Sequence, residues 1–380
     1  MRVVGVAWQG YGLPFRAPYV TSEGRAAMKY GLLVFLRGDG GLVGVGDASP
    51  VGPGNLSQVQ QLVHLMEDLA PQIIGLPFAL APAIEEAKAL TNLSALGALP
   101  ALAFGLETAR LDLLGKAQGN SVAELLGGAP RSLPVNAIIA SDSPAQASVE
   151  AFLAVAAGFA SLKLKVGQPG LEQDIKLVSA VRQAIGASVR LRLDPNQAWT
   201  ASQAVVAIRR LAAFGVEYVE QPVVASNLAG MAQVRRETGV LVAADEALTS
   251  AAEVDRILLA EAADLFILKA ARLGGLATSL EAAHAAAKAG KISVVTSSLE
   301  SGVGLAASAH LASALAPHTF AHGLATGLLY DTDLLEHPLL PIKGMLPTPS
   351  GPGLGVTVDS AQLSRYGIGI TGGLGLSAGV

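Results

Sequence analysis

From residue 134 onward the sequence keeps returning to one unit. Short apolar or β-branched runs fall at 134–140 (PVNAIIA), 160–166 (ASLKLKV), 189–194 (VRLRLD), 215–221 (GVEYVEQ), 240–246 (VLVAADE), 264–270 (DLFILKA), 291–298 (KISVVTSS) and 319–325 (TFAHGLA). Alanine-rich stretches of helical length separate most of them. Eight strands at a period of roughly 25–30 residues, each followed by room for a helix, are what a parallel α/β barrel of about 200 residues needs. A doubly wound open sheet would carry a phosphate-binding glycine loop after its first strand, and PVNAIIASDSPAQ offers none. The repeat predicts a TIM-type barrel over residues 129–344.

The first 128 residues are patterned otherwise. Strand-like runs MRVVGVAW, YGLLVFLR and GLVGVGD come first, the last two joined by the hairpin signal GDGG. Two helical stretches follow, LSQVQQLVHLMEDLA and ALAFGLETARLDLLGKAQG, the second with apolar residues at helical spacing and a terminal glycine. Residues 1–128 are expected to form an α+β unit. The turn-rich tail, residues 345–380, contains one short strand and is expected to fold back onto that unit.

Composition narrows the partners. Apolar residues make up 51% of the 380 and charged residues 15%, which suits a large core and argues against disorder. The net charge of -4 comes without a block of like charge, so a small molecule is the expected partner, not nucleic acid or an anionic membrane surface. There is no cysteine, hence no disulfide, thiolate zinc site or cysteine nucleophile. No apolar run reaches about 18 residues, and the start lacks a basic region followed by a long apolar core; a soluble cytoplasmic protein is expected. The six histidines, His64, His284, His310, His318, His322 and His337, show no zinc-binding spacing and read as core, surface or cap residues.

Catalytic groups of a parallel barrel gather where its strands end. Here those ends carry Lys163 and Lys165, then Asp194 with Asn196 close behind, Glu220 before Gln221-Pro222, Asp245-Glu246, Lys269, and Ser297, Ser298 and Glu300. Strand alternation points Lys163 and Lys165 the same way, opposite to Leu162, Leu164 and Val166. Singly, each has an ordinary explanation: solvated lysines on a half-exposed strand, an Asx-turn at Asp194, a strand-end turn at Glu220, a helix cap at Asp245. Jointly they do not, because three carboxylates converging on one barrel mouth repel strongly in a low dielectric unless a cation joins them. Oxygen donors without cysteine or paired histidine select a hard ion, Mg²⁺ with Mn²⁺ as its substitute, over zinc or copper. Such an ion would hold a substrate carboxylate and stabilise the enediolate formed when the neighbouring carbon loses a proton, with a lysine as base. The ion and the second ammonium would lower that lysine's proton affinity. The non-enzymatic alternative, a binding module around a structural ion, is opposed by lysines placed beside a bound cation.

The segments LKLKVG, LDPNQAW, VEQPV, AADEAL, ILKAARLGG and SSLESGVG resemble those of the enolase superfamily, and within it the muconate lactonizing enzyme subgroup. The steps of 29, 26, 25 and 24 residues from Lys165 through Asp194, Glu220 and Asp245 to Lys269 fit that subgroup's spacing. The resemblance implies a (β/α)7β-type TIM barrel with an N-terminal α+β capping domain completed by the C-terminal segment. It implies that Asp194, Glu220 and Asp245 bind Mg²⁺, that Lys165 is the proton-abstracting base, and that Lys269 lies on the opposite face. Lys163 would flank the base and hold the substrate carboxylate, while Asn196 and Glu246 would orient the metal ligands. A capping loop from Pro14 to Gly24 would close over the mouth, with Tyr19, Thr21 and Ser22 as substrate contacts. Members of the subgroup are often oligomers, so a homo-oligomer is implied without an interface being located.

Within the subgroup, SSLESGVGL and GLATGLLYDTDL are similar to segments of o-succinylbenzoate synthases. That implies a β-elimination of water from a succinyl-hydroxycyclohexadiene carboxylate in menaquinone biosynthesis. Lys165 would take the proton next to the carboxylate and then protonate the departing hydroxyl, while Lys269 would stabilise the enediolate by a cation–π contact. N-acylamino acid racemases, which use both lysines for proton transfer, and muconate cycloisomerases remain as alternatives. Dipeptide epimerases carry an acidic pair at the end of strand eight, where this chain has Gly323, Leu324, Ala325 and Thr326; Asp331 and Asp333 come later and are expected to cap the last helix. Asp47 in GVGDASP stands where the family commonly has Glu, which shortens the contact of the cap with the barrel mouth by a methylene.

Overall fold

The computed structural model describes residues 2–21, 24–77, 99–168, 170–316 and 319–376. The N-terminal runs form an antiparallel meander of β1 (Val3–Thr21), β2 (Gly24–Gly38) and β3 (Val43–Ala48), and the strand Gly367–Leu374 from the chain's far end pairs with the outer side of β1. Helix Leu56–Ile73 starts on Asn55, whose side chain accepts from Gln58 N–H, and buries Val59, Leu62, Met66, Leu69 and Ile73 on one stripe. Each such side chain contributes about 1.5–3 kcal/mol when fully buried.

Helix Pro100–Gln118 is buried on nearly every side, which is why ALAFGLETARLDLL carries so little polar contrast. Its approach to β3 depends on two glycines. A Cβ on Gly44 would sit 2.0 Å from Ala109 O, and one on Gly46 would sit 1.9 Å from Gly105 O. The GVG of this strand is therefore a helix–sheet contact rather than turn chemistry.

After a short ribbon, β4 (Ser132–Pro134) with Met345–Pro347, the repeat builds the barrel. Its parallel strands are β5 (Ala137–Ile139), β6 (Ser161–Lys165), β7 (Arg190–Asp194), β8 (Val216–Glu220), β9 (Val242–Ala244), β10 (Leu265–Leu268) and β11 (Ile292–Val295), hydrogen-bonded side by side in that sequence. A helix follows each: Pro144–Ala156, Leu171–Ile185, Ala201–Leu211, Leu228–Thr238, Ala251–Leu259, Leu276–Lys288 and Gly302–Ala314. β9 and β10 are buried along their whole length, as strands covered on both faces must be.

The eighth run, 319–325, is reduced to single bridges. His322 pairs with Val135 and Gly323 with Thr296, and the bonds His322 N to Pro134 O (2.7 Å) and Ser297 N to Gly323 O (3.0 Å) close the ring. The crossing is tight: a Cβ on Gly323 would lie 2.6 Å from Thr296 Oγ1. Among the described residues no helix is long and apolar enough to cross a membrane.

Candidate active site

Adjacent strand ends bring the predicted lysines and carboxylates together into one largely buried cluster. Lys163 Nζ lies 2.8 Å from Asp194 Oδ2 and 2.6 Å from Glu220 Oε1. Lys165 Nζ donates to the same Asp194 oxygen at 2.8 Å and to Asn196 Oδ1. Asn196 Nδ2 donates to Glu246 Oε1 at 3.1 Å, while Glu246 Oε2 is buried without a partner. On the other side Lys269 Nζ meets Asp245 Oδ2 at 2.6 Å. The order of cation, anion, anion, anion, cation around the strands is the order expected, with Lys165 and Lys269 on different aspartates.

The electrostatics follow from burial against charge. Burial raises all three carboxyls, but at Asp194 the Lys163 and Lys165 ammonium groups outweigh it and bring the group down to about 2. At Asp245 burial is outweighed by Lys269, Arg272 and Lys163, and the shift is again downward. Glu220 gives way instead: burial, reinforced by the charges of Asp194 and Asp245, lifts it to about 7 against the pull of Lys163. Lys163 is buried too, yet Asp194, Glu220 and Asp245 hold it charged well above the ordinary lysine range.

Backbone geometry aims these groups. Asn196, Gln197 and Gln221 have φ of 46°, 68° and 39°, in the left-handed region that non-glycine residues adopt sparingly and that clusters at functional sites. Asn196 N–H caps Asp194 Oδ1 at 3.0 Å, and Gln197 N–H donates to Gln221 O at 2.9 Å.

Three polar residues that the sequence reading did not select lie on or near the same strands, and two of them bond Asp245. Gln221 Oε1 accepts from the N–H groups of Asp245 and Ala247, both at 3.0 Å, and so fixes the end of β9. Arg272 Nη1 donates to Asp245 O at 2.7 Å and to Oδ1 at 2.9 Å. Arg192, fully buried below Asp194, donates to Glu217, Asn136 and Ala321 O and lies 4.8 Å over the Tyr218 ring. Strand parity with Asp194 could have revealed Arg192, and the helical turn after Lys269 could have revealed Arg272; nothing local marks Gln221 as inward.

Ser297, Ser298 and Glu300 form a separate buried cluster after β11: Ser297 Oγ and Ser298 N–H donate to Glu300 Oε2 at 2.5 and 2.8 Å. Tyr19 joins this side by stacking, 5.4 Å from Phe15, which stacks 5.1 Å from Tyr330. The expected capping loop differs from expectation. Residues 14–21 are an arm of the β1–β2 hairpin with an irregular register between Pro14 and Tyr19, because the chain keeps pairing as far as Thr21–Gly24. The Thr21 side chain, Ser22 and His318 lie outside what the structure describes. Asp333 caps the last barrel helix, its Oδ1 accepting from Gly302 N–H at 2.8 Å, whereas the exposed Asp331 donates its N–H to Pro14 O. His310 and His322 are buried and His64, His284 and His337 exposed.

Among the described residues no three acidic or histidine side chains stand as a ready cage for an ion; ammonium groups lie against the carboxylates instead. The donor set nevertheless suits a hard divalent cation, since Asp194, Glu220 and Asp245 offer buried carboxylate oxygens on neighbouring strand ends with no sulfur or imidazole among them.

Fold and site together define a capped α/β-barrel with an acid–base centre at the C-terminal ends of its strands. Residues 6–127 match the mandelate racemase / muconate lactonizing enzyme N-terminal domain, and residues 146–362 match the enolase C-terminal domain-like family. The chain belongs to the enolase superfamily, in its muconate lactonizing enzyme subgroup. It is 31% identical to a chloromuconate cycloisomerase of Cupriavidus pinatubonensis over 364 residues, covering 93% of this chain and 95% of the relative. It is 41% identical to an o-succinylbenzoate synthase of Thermobifida fusca over 218 residues, 57% of this chain and 66% of that one. The crystal structure of an N-succinyl Arg/Lys racemase from Bacillus cereus superposes with a TM-score of 0.89 at 25% identity, covering 98% of this chain and all of that one.

Proposed function

We propose that this enzyme is an o-succinylbenzoate synthase, which removes water in syn fashion from 2-succinyl-6-hydroxy-2,4-cyclohexadiene-1-carboxylate. The observation that carries this choice within the subgroup is Asp333. Its Oδ1 accepts from the backbone N–H groups of Gly302 and Leu334, both at 2.8 Å, so this acid is engaged at a helix start, which counts against its forming an acidic pair with Asp331 for a substrate ammonium. The 41% identity to the Thermobifida fusca synthase supports the same reading.

In this reading Asp194, Glu220 and Asp245 would hold Mg²⁺, which would supply positive charge to stabilise the enediolate that forms as the substrate loses its proton. Lys165 is placed to work from one side: its side chain is 32% exposed, and it rests on Asp194 and Asn196 until substrate arrives. As the neutral amine it takes the proton from the carbon bearing the carboxylate; as the ammonium it returns that proton to the departing hydroxyl, so base and acid are one residue. Lys163, wedged between Asp194 and Glu220, stays charged and holds the substrate carboxylate. Lys269, from the Asp245 side, faces the charge spread over the ring.

A second reading, racemisation of N-succinyl amino acids, is favoured by the placement of Lys165 and Lys269 on different aspartates, which would let each serve one face of a carbanion. The two are separated by assaying dehydration of the cyclohexadiene acid and racemisation of N-succinyl amino acids on one magnesium-loaded preparation. Turnover of the amino acid alone would overturn the synthase.

A further inference from the structure

Lys29, Asp47 and Glu300 are buried charges that the chemistry above does not use, and they meet where the cap touches the barrel. Asp47 near the end of β3 reaches Ser301, the residue that starts helix Gly302–Ala314: Ser301 N–H and Ser301 Oγ both donate to Asp47 Oδ2 at 2.7 Å. Tyr11 on β1 donates its hydroxyl to the same carboxylate at 2.9 and 3.0 Å. Lys29 on β2 attracts both Asp47 and Glu300 while donating to Pro50 O (2.5 Å) and Gly52 O (2.6 Å). The loop it braces returns to the barrel, where Gly52 N–H donates to Ser298 O at 3.2 Å.

The segment held this way is the turn after β11. Leu299 has φ of 72°, a left-handed conformation that is costly for leucine and persists only when the surroundings over-determine it. Tyr330 Oη donates to Leu299 O at 2.6 Å and Leu299 N–H to Ser297 Oγ at 3.1 Å; two residues on, Ser301 gives both its N–H and its hydroxyl to Asp47 of the cap, while its carbonyl accepts from Leu305 N–H within the helix. Two polar atoms in the turn, Ser298 Oγ and Glu300 Oε1, are buried and unpartnered.

We infer that Asp47 is a positioning residue: held by Tyr11 and Lys29, it fixes the Ser297–Ser301 turn through Ser301 and so couples the seat of the cap to substrate affinity. This rests on the proposed reaction only for its kinetic readout. The groups facing Asp47 are Tyr11, Lys29, Glu300 and Tyr330, and burial raises its carboxyl to about 6 against the pull of Ser301, Lys29 and Tyr11. Protonation below that pH weakens the hold on Ser301.

The test uses the full-length enzyme with magnesium, as wild type, Asp47→Asn and the milder Tyr11→Phe. Amide exchange by mass spectrometry should quicken about tenfold in peptides spanning Ser298–Ser301 in Asp47→Asn, and by less in Tyr11→Phe. KM should rise about tenfold with kcat nearly unchanged, and the wild type's rise in KM below about pH 6 should vanish in Asp47→Asn. Unchanged exchange in the turn, or a lower melting temperature with KM unmoved, would mean that Asp47 only joins two domains. If the wild type turns over neither substrate, the proposed reaction fails while the exchange result still decides the role of Asp47.

Discussion

Lys163 and Glu220 meet at 2.6 Å, with the side chains 10% and 2% exposed. Such a pair is costly to bury and costly to break, because either partner left alone is an uncompensated charge in a poor solvent. Replacing Lys163 with Met should destabilise the metal-free enzyme by about 3–5 kcal/mol. Magnesium should restore much of that loss, and melts in EDTA against melts in magnesium measure the difference. Equal destabilisation in both conditions would show that Lys163 does not stand in for a cation among these carboxylates.

Lys165 is the partly exposed member of the lysine pair, so its loss should cost chemistry more than stability. Lys165→Ala should lower turnover and substrate α-proton exchange in D₂O by about 10²–10⁴-fold, the range for removing a general base. The melting temperature should stay within a few degrees of wild type, which circular dichroism checks.

Magnesium at a hundredfold excess over its dissociation constant should stabilise the wild type by about 2.7 kcal/mol. Asp245→Asn should abolish that gain, and chelation should abolish activity. Calorimetric titration with magnesium alone reads the binding without reference to any substrate.

His310 makes the acid stability of the fold testable. Its ring accepts from Ala123 N–H at 3.1 Å through Nδ1 and lies 3.1 Å from Leu354 O through Nε2, which fits a neutral ring. Burial lowers its proton affinity from 6.5 to about 4. The unfolded chain therefore binds the extra proton first as pH falls. The stabilisation is complete above about pH 6.5 and is lost between there and about 4, up to about 3 kcal/mol. Urea unfolding of the wild type and of His310→Gln across that window should show the steeper fall in the wild type.

The barrel was legible because a strand buried on both faces must read as a short apolar run, and seven of the eight runs became strands. The eighth was not, since TFAHGLA closes the ring by two bridges whose spacing depends on how closely Gly323 passes Thr296. The lysines and carboxylates were legible by strand parity and strand end. Gln221 was not, because its partner Asp245 lies on another strand and nothing in VEQPV names it.

By itself the sequence determined which charged residues end at the barrel's mouth, because residue type and position along a strand decide that. Only the tertiary structure decided how those charges are shared: Lys163 between two carboxylates, Asp47 reaching Ser301 across 254 residues of chain. Hydrogen bonds depend on distance and direction in space, and a linear chain carries neither until it is folded.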